Sequence, residues 1–384
     1  MENVDDYKEI ADLIKEKGGD SFKLCYQCGK CDVVCPWNRL KYFSMRKLVR
    51  QATFGMSEIE GEEIWHCTTC GKCSMVCPRD VKQVQSGIAL RRMATDYGIF
   101  TASANPVRAI RSSLNGEGNP FFEDRSKRAK WAEGLHVKMF TEGMEILYFP
   151  GCYLSFDPRL KKVATATATI LKKAGVDFGI LGPAENCCGE SIRKAGDEGL
   201  FRHLAKENIK TFVDHGVKKI LVSSPHCYHT FKNEYPEFRV NFEVVHMAQY
   251  IFGLIQEGRL ELSMEYARKV TYHDPCYLGR HNGIYEEPRK VFQKIPALEL
   301  LEMPDSMDDS LCCGGGGGRI WMDTPKGERF SDIRLDQAVA TGADVLVTTC
   351  PYCISNFEDS LLSRRNDKTI VIKDLTEIIQ EVIT

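Results

Sequence analysis

Apolar residues recur at helical spacing through the first hundred residues of the chain. The stretch VDDYKEIADLIKEKGG ends in two glycines, and its apolar side chains share one helical face: Val4, Tyr7, Ile10, Leu13 and Ile14. The stretch SMRKLVRQATFG, residues 44–55, begins with a serine suited to capping a helix and ends at a glycine. Residues 81–94 repeat the apolar pattern. These signals predict a helical module over residues 1–110.

From residue 145 onward the pattern becomes an alternation of short strands and helices. Asp157-Pro158 starts a helix that Gly175 ends, and VDFGIL at 176–181 has the composition of a strand. Residues 197–215 place their apolar side chains on one helical face, and the apolar, β-branched stretch KILVS follows. This alternation predicts a small α/β domain with a parallel sheet. Residues 111–144, rich in Gly, Asn and charge, predict a surface linker before it.

The α/β pattern occurs twice, over residues 145–265 and 266–384. Each copy opens with Cys-Tyr-Leu, continues with a doubled cysteine and a glycine, and ends with a proline motif, SSPHC in the first and TTCPYC in the second. Cys152 to Cys187 is 35 positions and Cys276 to Cys312 is 36. Agreement across such landmarks predicts duplicated domains.

The amino-acid composition indicates which kind of chemistry to expect. Seventeen cysteines stand in 384 residues, and the acidic stretch MENVDDYKEI lacks the apolar core of a secretion signal, so metal or redox chemistry is expected before disulfides. The net charge of −2 carries no signature of nucleic-acid binding, and no apolar run approaches the length of a membrane span. We expect a cytoplasmic protein without nucleic acid or a transmembrane segment of its own, reaching a membrane only through a partner protein.

Eight cysteines form two matching motifs, CYQCGKCDVVCPW at 25–37 and CTTCGKCSMVCPR at 67–79. Both are the C-x2-C-x2-C-x3-C-P run of bacterial ferredoxins, in which the fourth cysteine ligates the other cluster. Zinc, with four ligands usually arranged as two pairs, suits this run less well. The expected ligand sets of the two cubane 4Fe–4S clusters are Cys25, Cys28, Cys31 and Cys77 for one, and Cys67, Cys70, Cys73 and Cys35 for the other. The predicted fold is therefore α+β and multidomain, with a helical two-cluster ferredoxin module before two duplicated α/β domains.

Five cysteines of the second α/β copy can converge where its strands end: Cys276, Cys312, Cys313, Cys350 and Cys353. Five thiolates exceed both a zinc site and a single cubane, and adjacent cysteines suit a more open cluster. The glycines after Cys313 allow close backbone approach and offer N–H groups to sulfur, so three of them are expected to contact the cofactor: Gly314, Gly315 and Gly316. A flexible turn is the alternative for this glycine run.

The doubled CCG with C-P-x-C resembles the CCG domain of the B-type and D-type subunits of heterodisulfide reductase. The domain also occurs in iron–sulfur subunits of glycolate oxidase and anaerobic glycerol-3-phosphate dehydrogenase. A ferredoxin module before two CCG domains resembles the D-type protein over residues 20–384. The chain is also similar to a heterodisulfide-reductase-like component of anaerobic benzoyl-CoA reductase complexes, to iron–sulfur proteins that accompany electron-transfer flavoproteins, and to a component of a sulfite-reduction-linked membrane complex.

The resemblance implies one noncubane 4Fe–4S cluster on the five cysteines of the second CCG domain. In the first CCG domain it implies four of the five positions: Cys152, Cys187, Cys188 and Cys227. Ser224 stands at the fifth, where the second domain has Cys350. Because a hydroxyl is a poor substitute for a thiolate on iron, we expect this domain to be empty, to hold a smaller cluster, or to recruit His226 or His229, as histidine replaces cysteine in Rieske centres.

The expected function is a relay of single electrons between two cubanes and one noncubane cluster, in an iron–sulfur subunit of an anaerobic oxidoreductase complex. Flavoprotein, haem or further iron–sulfur subunits would be its partners. One alternative is a catalytic reductase of a CoM-S-S-CoB-type heterodisulfide or another disulfide, with an open iron of the five-cysteine cluster as the reacting group. Another alternative is a structural docking subunit. Neighbours of the cysteines expected not to be ligands are His66, His273, Arg280 and His281.

Overall fold

The computed structural model describes residues 4–56, 58–363 and 370–384. The predicted helices over 44–55 and 81–94 are confirmed, and Ser44 caps the former by accepting the backbone N–H of Lys47. The helices of the N-terminal part are α1 (Val4–Ile14), α2 (Lys30–Val34), α3 (Met45–Thr53), α4 (Glu63–His66), α5 (Lys72–Met75), α6 (Gln83–Asp96) and α7 (Asn105–Glu117).

The first α/β domain has a five-stranded parallel sheet. Its elements, in chain order, are β1 (Lys138–Met139), β2 (Ile146–Phe149), α8 (Gly151–Phe156), α9 (Lys161–Lys173), β3 (Phe178–Ile180), α10 (Glu190–Lys194), α11 (Glu198–Asp214), β4 (Lys219–Val222), α12 (Pro225–His229), β5 (Glu243–His246) and α13 (Met247–Gln256). The strands lie in the order β1-β3-β2-β4-β5.

The second α/β domain has a four-stranded parallel sheet in the order β7-β6-β8-β9. Its elements are β6 (Lys269–Tyr272), α14 (Glu286–Phe292), β7 (Glu299–Leu301), α15 (Phe330–Ala340), β8 (Val345–Thr348), α16 (Pro351–Ser363), β9 (Val371–Asp374) and α17 (Leu375–Val382).

The two sheets are built alike. The order β3-β2-β4-β5 corresponds to β7-β6-β8-β9, and β1, from the segment before the domain, extends only the first sheet. The register is also shared, since Leu147 pairs with Ile220 as Thr271 pairs with Leu346. The predicted combination of a helical module with duplicated parallel-sheet domains is confirmed. In each domain, cysteines follow the two central strands, and the doubled cysteine follows the neighbouring strand, β3 or β7. The cysteines therefore lie beyond the carboxyl ends of parallel strands, where α/β folds hold ligands.

The apolar cores join the three parts. One cluster of buried side chains contains Tyr148 and Leu221 of the first sheet together with Val270 and Val345 of the second. Another runs from Trp65 of the helical module to residues of the first domain. Arg159, two residues before α9, also bridges the domains by ion pairs to Glu358 and Glu377. The cysteine-bearing loops are thereby held against one another.

Candidate metal centres

The two ferredoxin-type motifs adopt the same loop conformation. Gly29 and Gly71 have φ of 81° and 80°, immediately before α2 and α5, and Gln27 and Thr69 also lie in the left-handed region. A side chain at Gly71 would crowd the ring of His281, so glycine suits this turn sterically as well as conformationally. Each motif thus curls so that its first three cysteines face one side.

The first group of thiols surrounds a cavity near the surface. Cys25, Cys28 and Cys31 line it together with Cys77 from the other motif. The backbone N–H of Val81 donates to Sγ of Cys77 over 3.4 Å. Cys28 is exposed, so this group opens outward.

The second group is buried more deeply. Burial raises the pKa of Cys73 well above its usual value, and the neighbouring thiols Cys67, Cys70 and Cys35 add to that effect. Burial and then the neighbouring thiol of Cys70 likewise raise the pKa of Cys35. These mutual effects require proximity, so the structure brings Cys35 to the second motif and Cys77 to the first.

The five cysteines of the second CCG-type sequence converge and are all buried. Sγ of Cys353 lies 3.2 Å from Sγ of Cys313, and the backbone N–H of Gly314 donates to Sγ of Cys312 over 3.3 Å. Burial opposes ionisation of Cys350, but hydrogen bonds with Cys353 and His226 outweigh it and lower the pKa of that thiol. His273 also offers a ring nitrogen within 4.8 Å of the sulfurs of Cys313 and Cys353.

The glycine run after Cys313 makes two kinds of contact. Gly314 presents its N–H to the sulfur of Cys312. A Cβ atom on Gly316 would lie 2.4 Å from the carbonyl oxygen of Thr68, and one on Gly317 would lie 2.6 Å from that of Cys67. The run is therefore also the point where the second α/β domain touches the backbone of a ferredoxin-type motif.

Four cysteines of the first α/β domain, with Ser224, line a common cavity: Cys152, Cys187, Cys188 and Cys227. The backbone N–H of Gly189 donates to Sγ of Cys187 over 3.4 Å, the counterpart of the contact between Gly314 and Cys312. Ser224 is buried at the start of α12, and its hydroxyl does not cap that helix.

A buried arginine that the sequence pattern does not reveal stands beside this first site. The guanidinium of Arg128 lies 3.6 Å from Sγ of Cys152 and donates to Glu185 over 2.7 Å and to the carbonyl of Gly118 over 2.9 Å. Burial raises the pKa of Glu185 to about 7, against the opposing effect of Arg128. Arg128 lies in the cation-rich stretch RSKRAK of the segment expected to be a surface linker, where no local signal separates it from its exposed neighbours.

The second ferredoxin-type motif is joined to the second α/β domain. A hydrogen bond between the thiols of Cys70 and Cys312 is the largest cause of the raised pKa of Cys70. Arg280 donates to the carbonyl of Cys70 over 2.9 Å. Arg91 donates to the carbonyls of Cys67, over 2.6 Å, and Gly317, over 2.7 Å. The cysteine cluster of the second ferredoxin-type motif and that of the second α/β domain therefore lie side by side, although they come from distant parts of the chain.

The histidines beside the cysteines face the second site or its surroundings. Nδ1 of His226 lies 3.0 Å from Oε1 of Glu190, and its ring lies between Tyr277 and Tyr352 with both centroids 4.2 Å away. Despite the opposing effect of burial, Glu190 and then the thiol of Cys350 raise the pKa of His226 to about 10.

Other histidines have protein partners as well. The His229 ring is 5.3 Å from that of His281, and the ring of His66 packs edge-on against Trp37. Among the described residues that line the first four-cysteine cavity, neither His226 nor His229 is present.

The donor sets fit iron–sulfur clusters. All four groups consist of thiols gathered at one place and close enough to share hydrogen bonds or perturb one another's pKa. Backbone N–H groups also point at sulfurs in each α/β domain. Such thiolate sets with N–H···S bonds are what protein-bound clusters use. The five sulfurs of the second α/β domain also exceed the four ligands of a structural zinc site.

A cavity of about 290 Å³ connects the second site with the surface. It reaches Cys313 and Gly314 and is bordered by charged side chains of both signs, including Arg319, Glu328 and Asp359. Among the described residues, each helix is too short or too polar to cross a bilayer.

Family models match three parts of the chain. A model for a 4Fe-4S dicluster domain matches residues 21–81, and the model of the cysteine-rich CCG domain matches residues 146–232 and again 270–358. The resemblance to CCG-domain proteins is thereby confirmed, together with the order of the modules: a 4Fe-4S dicluster domain and then two CCG domains.

Curated relatives share extended similarity with this chain. It is 37% identical to the EtfAB:quinone oxidoreductase of Syntrophomonas wolfei, over 68% of this chain and 38% of that protein. It is 37% identical to the probable iron-sulfur-binding oxidoreductase FadF of Bacillus subtilis, over 85% of this chain and 47% of that protein. Identity is 32% to the D-type protein of the dihydromethanophenazine:CoB–CoM heterodisulfide reductase of Methanosarcina barkeri, over 69% of this chain and 65% of that protein. The chain thus spans about two fifths to two thirds of the length of these relatives.

A solved structure shares the fold. A hypothetical protein from Helicobacter pylori superimposes with a TM-score of 0.57 at 12% identity, over 92% of this chain and 70% of that one. At this identity the likeness concerns the fold alone.

Proposed function

Since the chain joins a 4Fe-4S dicluster domain to two CCG domains and is homologous to the D-type protein of heterodisulfide reductase and to FadF-type iron–sulfur proteins, we propose that it relays single electrons within an oxidoreductase complex. The junction of the second ferredoxin-type motif with the second CCG domain carries this proposal. Sγ of Cys312 lies 3.7 Å from Oγ1 of Thr68, and Arg280 donates to the carbonyl of Cys70 over 2.9 Å, so the buried ferredoxin-type group adjoins the five-cysteine site. A route for electrons needs such adjacency, whereas independent structural metal sites do not.

Three sites are assigned a cofactor. The groups Cys25/Cys28/Cys31/Cys77 and Cys67/Cys70/Cys73/Cys35 would each hold a cubane 4Fe–4S cluster, and the five cysteines of the second CCG domain a noncubane one. When bound, these clusters supply one-electron exchange at metal centres. The chain's residues fix the arrangement: Arg91 and Arg280 tie the second motif to the CCG domain and bring positive charge to a region rich in thiolates.

The first CCG domain is assigned a lesser role. Ser224 removes the fifth sulfur, and His226 and His229 lie away from its cavity, which argues against a histidine substitute. Arg128 beside Cys152 would still favour thiolates there, so a smaller four-cysteine site is compatible with this domain.

The partners follow from single-electron chemistry. Neighbouring subunits would supply a flavin, a haem or a further cluster. The relative named EtfAB:quinone oxidoreductase makes an electron-transfer flavoprotein a candidate donor and a quinone a candidate final acceptor. We place the chain in the cytoplasm, in contact with a membrane only through such a partner.

Iron analysis of the anaerobically purified protein tests the proposal. Two cubanes and one noncubane cluster predict about twelve irons per chain, and loading of both CCG domains about sixteen. Dithionite should reduce the clusters to species visible by electron paramagnetic resonance. A protein with stoichiometric zinc and little iron would refute the relay.

A second candidate function is disulfide reduction at the second CCG site. The cavity that reaches Cys313 favours it, because a relay alone needs no opening for a small molecule. The isolated protein, supplied with reduced viologen and a CoM-S-S-CoB-type heterodisulfide, would consume viologen steadily if this function is right. Oxidation of viologen that stops once the clusters have been reduced would leave the relay as the function.

A further inference from the structure

The rim of the outer ferredoxin-type cavity, lined by Cys25, Cys28, Cys31 and Cys77, has the character of a protein-docking face. Of the eight ferredoxin-type cysteines, Cys28 is exposed while the others are buried or half-buried. The Cys67/Cys70 group is covered by the second CCG domain. An electron carrier arriving from solution therefore meets the Cys28 group first.

The charge at this rim is positive. Lys30, Arg46 and Arg79 line the cavity, and among the described residues that line it none is acidic. Arg46 lies 3.5 Å from the half-buried Asp32, whereas Lys30 and Arg79 have no ion pair within the described part of the chain. The whole chain has a net charge of −2, so this concentration of positive charge is local.

Apolar side chains stand out beside the cations. Tyr26 lines the cavity and is 59% exposed, the adjoining Leu24 is 47% exposed, and Val33, one helical turn after Lys30, is 85% exposed. Tyrosine and arginine are enriched in protein interfaces, where an apolar centre is surrounded by a polar rim. The combination is typical of a surface that a protein covers, and a small-molecule reductant would need none of it.

We propose that this face, formed by Leu24, Tyr26, Lys30, Val33, Arg46 and Arg79, docks an electron-carrier protein with an acidic surface. Positive charge on this side and negative charge on the partner would steer the encounter and orient the carrier toward Cys28. One electron leaves the reduced carrier and is gained by this chain, with no bond made or broken. The inference rests on the proposed electron-transfer function.

The test uses the anaerobically purified, cluster-loaded protein and reduced flavodoxin, a small acidic flavoprotein, as the probe. Stopped-flow absorbance gives the second-order rate of cluster reduction. We expect the rate to fall about tenfold between low and roughly 0.3 M salt, and about five- to tenfold at low salt in the double variant Lys30→Gln/Arg79→Gln. Cytochrome c, a basic protein, should take electrons from the reduced protein slowly and show the opposite salt dependence.

A matched control is Lys173→Gln/Lys206→Gln, which removes two exposed lysines from helices α9 and α11. It should leave the flavodoxin rate unchanged, and potentiometric titration should give the same midpoint potentials for all three proteins. Equal slowing by both double variants would overturn the docking face. A rate unaffected by the Lys30/Arg79 changes would overturn it as well. So would a shift in midpoint potential large enough to explain the slower rate, because the two cations would then act on the reduction potential of the cluster and not on docking. A protein that dithionite cannot reduce would instead refute the relay.

Discussion

The two CCG domains share a strand order and a register, yet they differ at the corner after the third strand of the repeat. The second domain has Cys350 and Tyr352 there, and the first has Ser224 and His226 at the same places. His226 and Tyr352 face each other across the domain boundary, and the equivalent residues Tyr277 and Tyr153 flank them to form a stack of four rings. The duplication is thus nearly two-fold symmetric at its centre.

The two corners are not equivalent in what they contribute to each other's site. Where the first domain has lost a sulfur, its corner carries His226, held by Glu190 and hydrogen-bonded to Cys350 of the other domain. The residue equivalent to Glu190 in the second domain is Gly315. The altered corner of the first domain therefore still contributes a side chain to the surroundings of the five-cysteine site in the second domain.

The largest effect is expected when the second domain is made like the first. Cys350→Ser should abolish the noncubane cluster, since a hydroxyl replaces one of five thiolates, and iron should fall by about four per chain. The eight ferredoxin-type cysteines are untouched, so the cubane signals should persist in electron paramagnetic resonance. A variant with unchanged iron would mean that Cys350 is not a ligand.

The reverse change gives the first domain the cysteine of the second. Ser224→Cys supplies the fifth thiol in a cavity that already holds four, with Arg128 as a neighbouring positive charge. We expect iron to rise by up to about four per chain and a second noncubane signal to appear. Ser224→Ala is the control and should leave the count at its original value. If Ser224→Cys binds no more iron, features other than the missing thiol keep the domains unequal.

Much of the correspondence between the two CCG domains was predictable from sequence, because the spacing of cysteines along the chain limits which of them can reach one cluster. The two motifs, the duplication and the contrast of Ser224 with Cys350 all follow from landmarks within single segments. The orientation of the His226 side chain toward the second domain and the burial of Arg128 depend on how separate segments pack, which local periodicity does not encode. The close approach of Gly316 to Thr68 likewise required the assembled fold.

The buried ion pair of the first domain gives a prediction for stability. Arg128→Met leaves Glu185, 1% exposed, without its cation, and loss of one partner of a buried pair costs about 3–5 kcal/mol in the free energy of unfolding. Arg128→Met/Glu185→Gln should recover most of that loss. Chemical denaturation of the cluster-loaded protein measures both.

The pH dependence of that variant has a defined sign. Burial already raises the pKa of Glu185 to about 7, and loss of Arg128 raises it further, so the folded variant holds a proton that the unfolded chain releases above about pH 4.3. Folding then binds protons in both proteins below about pH 7, so the deficit relative to the parent should stay nearly constant from pH 5 to 7. It should grow above pH 7, where folded Glu185 releases its proton in the parent but keeps it in the variant. A deficit independent of pH would contradict the role given to Glu185.

The smallest effect concerns His226 and the sister site. Removing its hydrogen bond to Cys350, and the positive charge that Glu190 supports, leaves more negative charge on the sulfur, which lowers the reduction potential of a cluster held there. For His226→Gln we expect a fall of about 60 mV, a tenfold change in a one-electron equilibrium, measured by redox titration of the noncubane signal.

His229→Gln is the matched control, since His229 lies against His281 and Tyr277. In this variant the reduction potential of the noncubane cluster should stay at the parent value. A cubane potential that moved with the noncubane one in His226→Gln would indicate a general change in packing. A shift confined to the noncubane signal would tie the two CCG domains together, because the residue responsible belongs to the domain without the full site. The first domain would then be kept for its influence on the second as much as for any metal of its own.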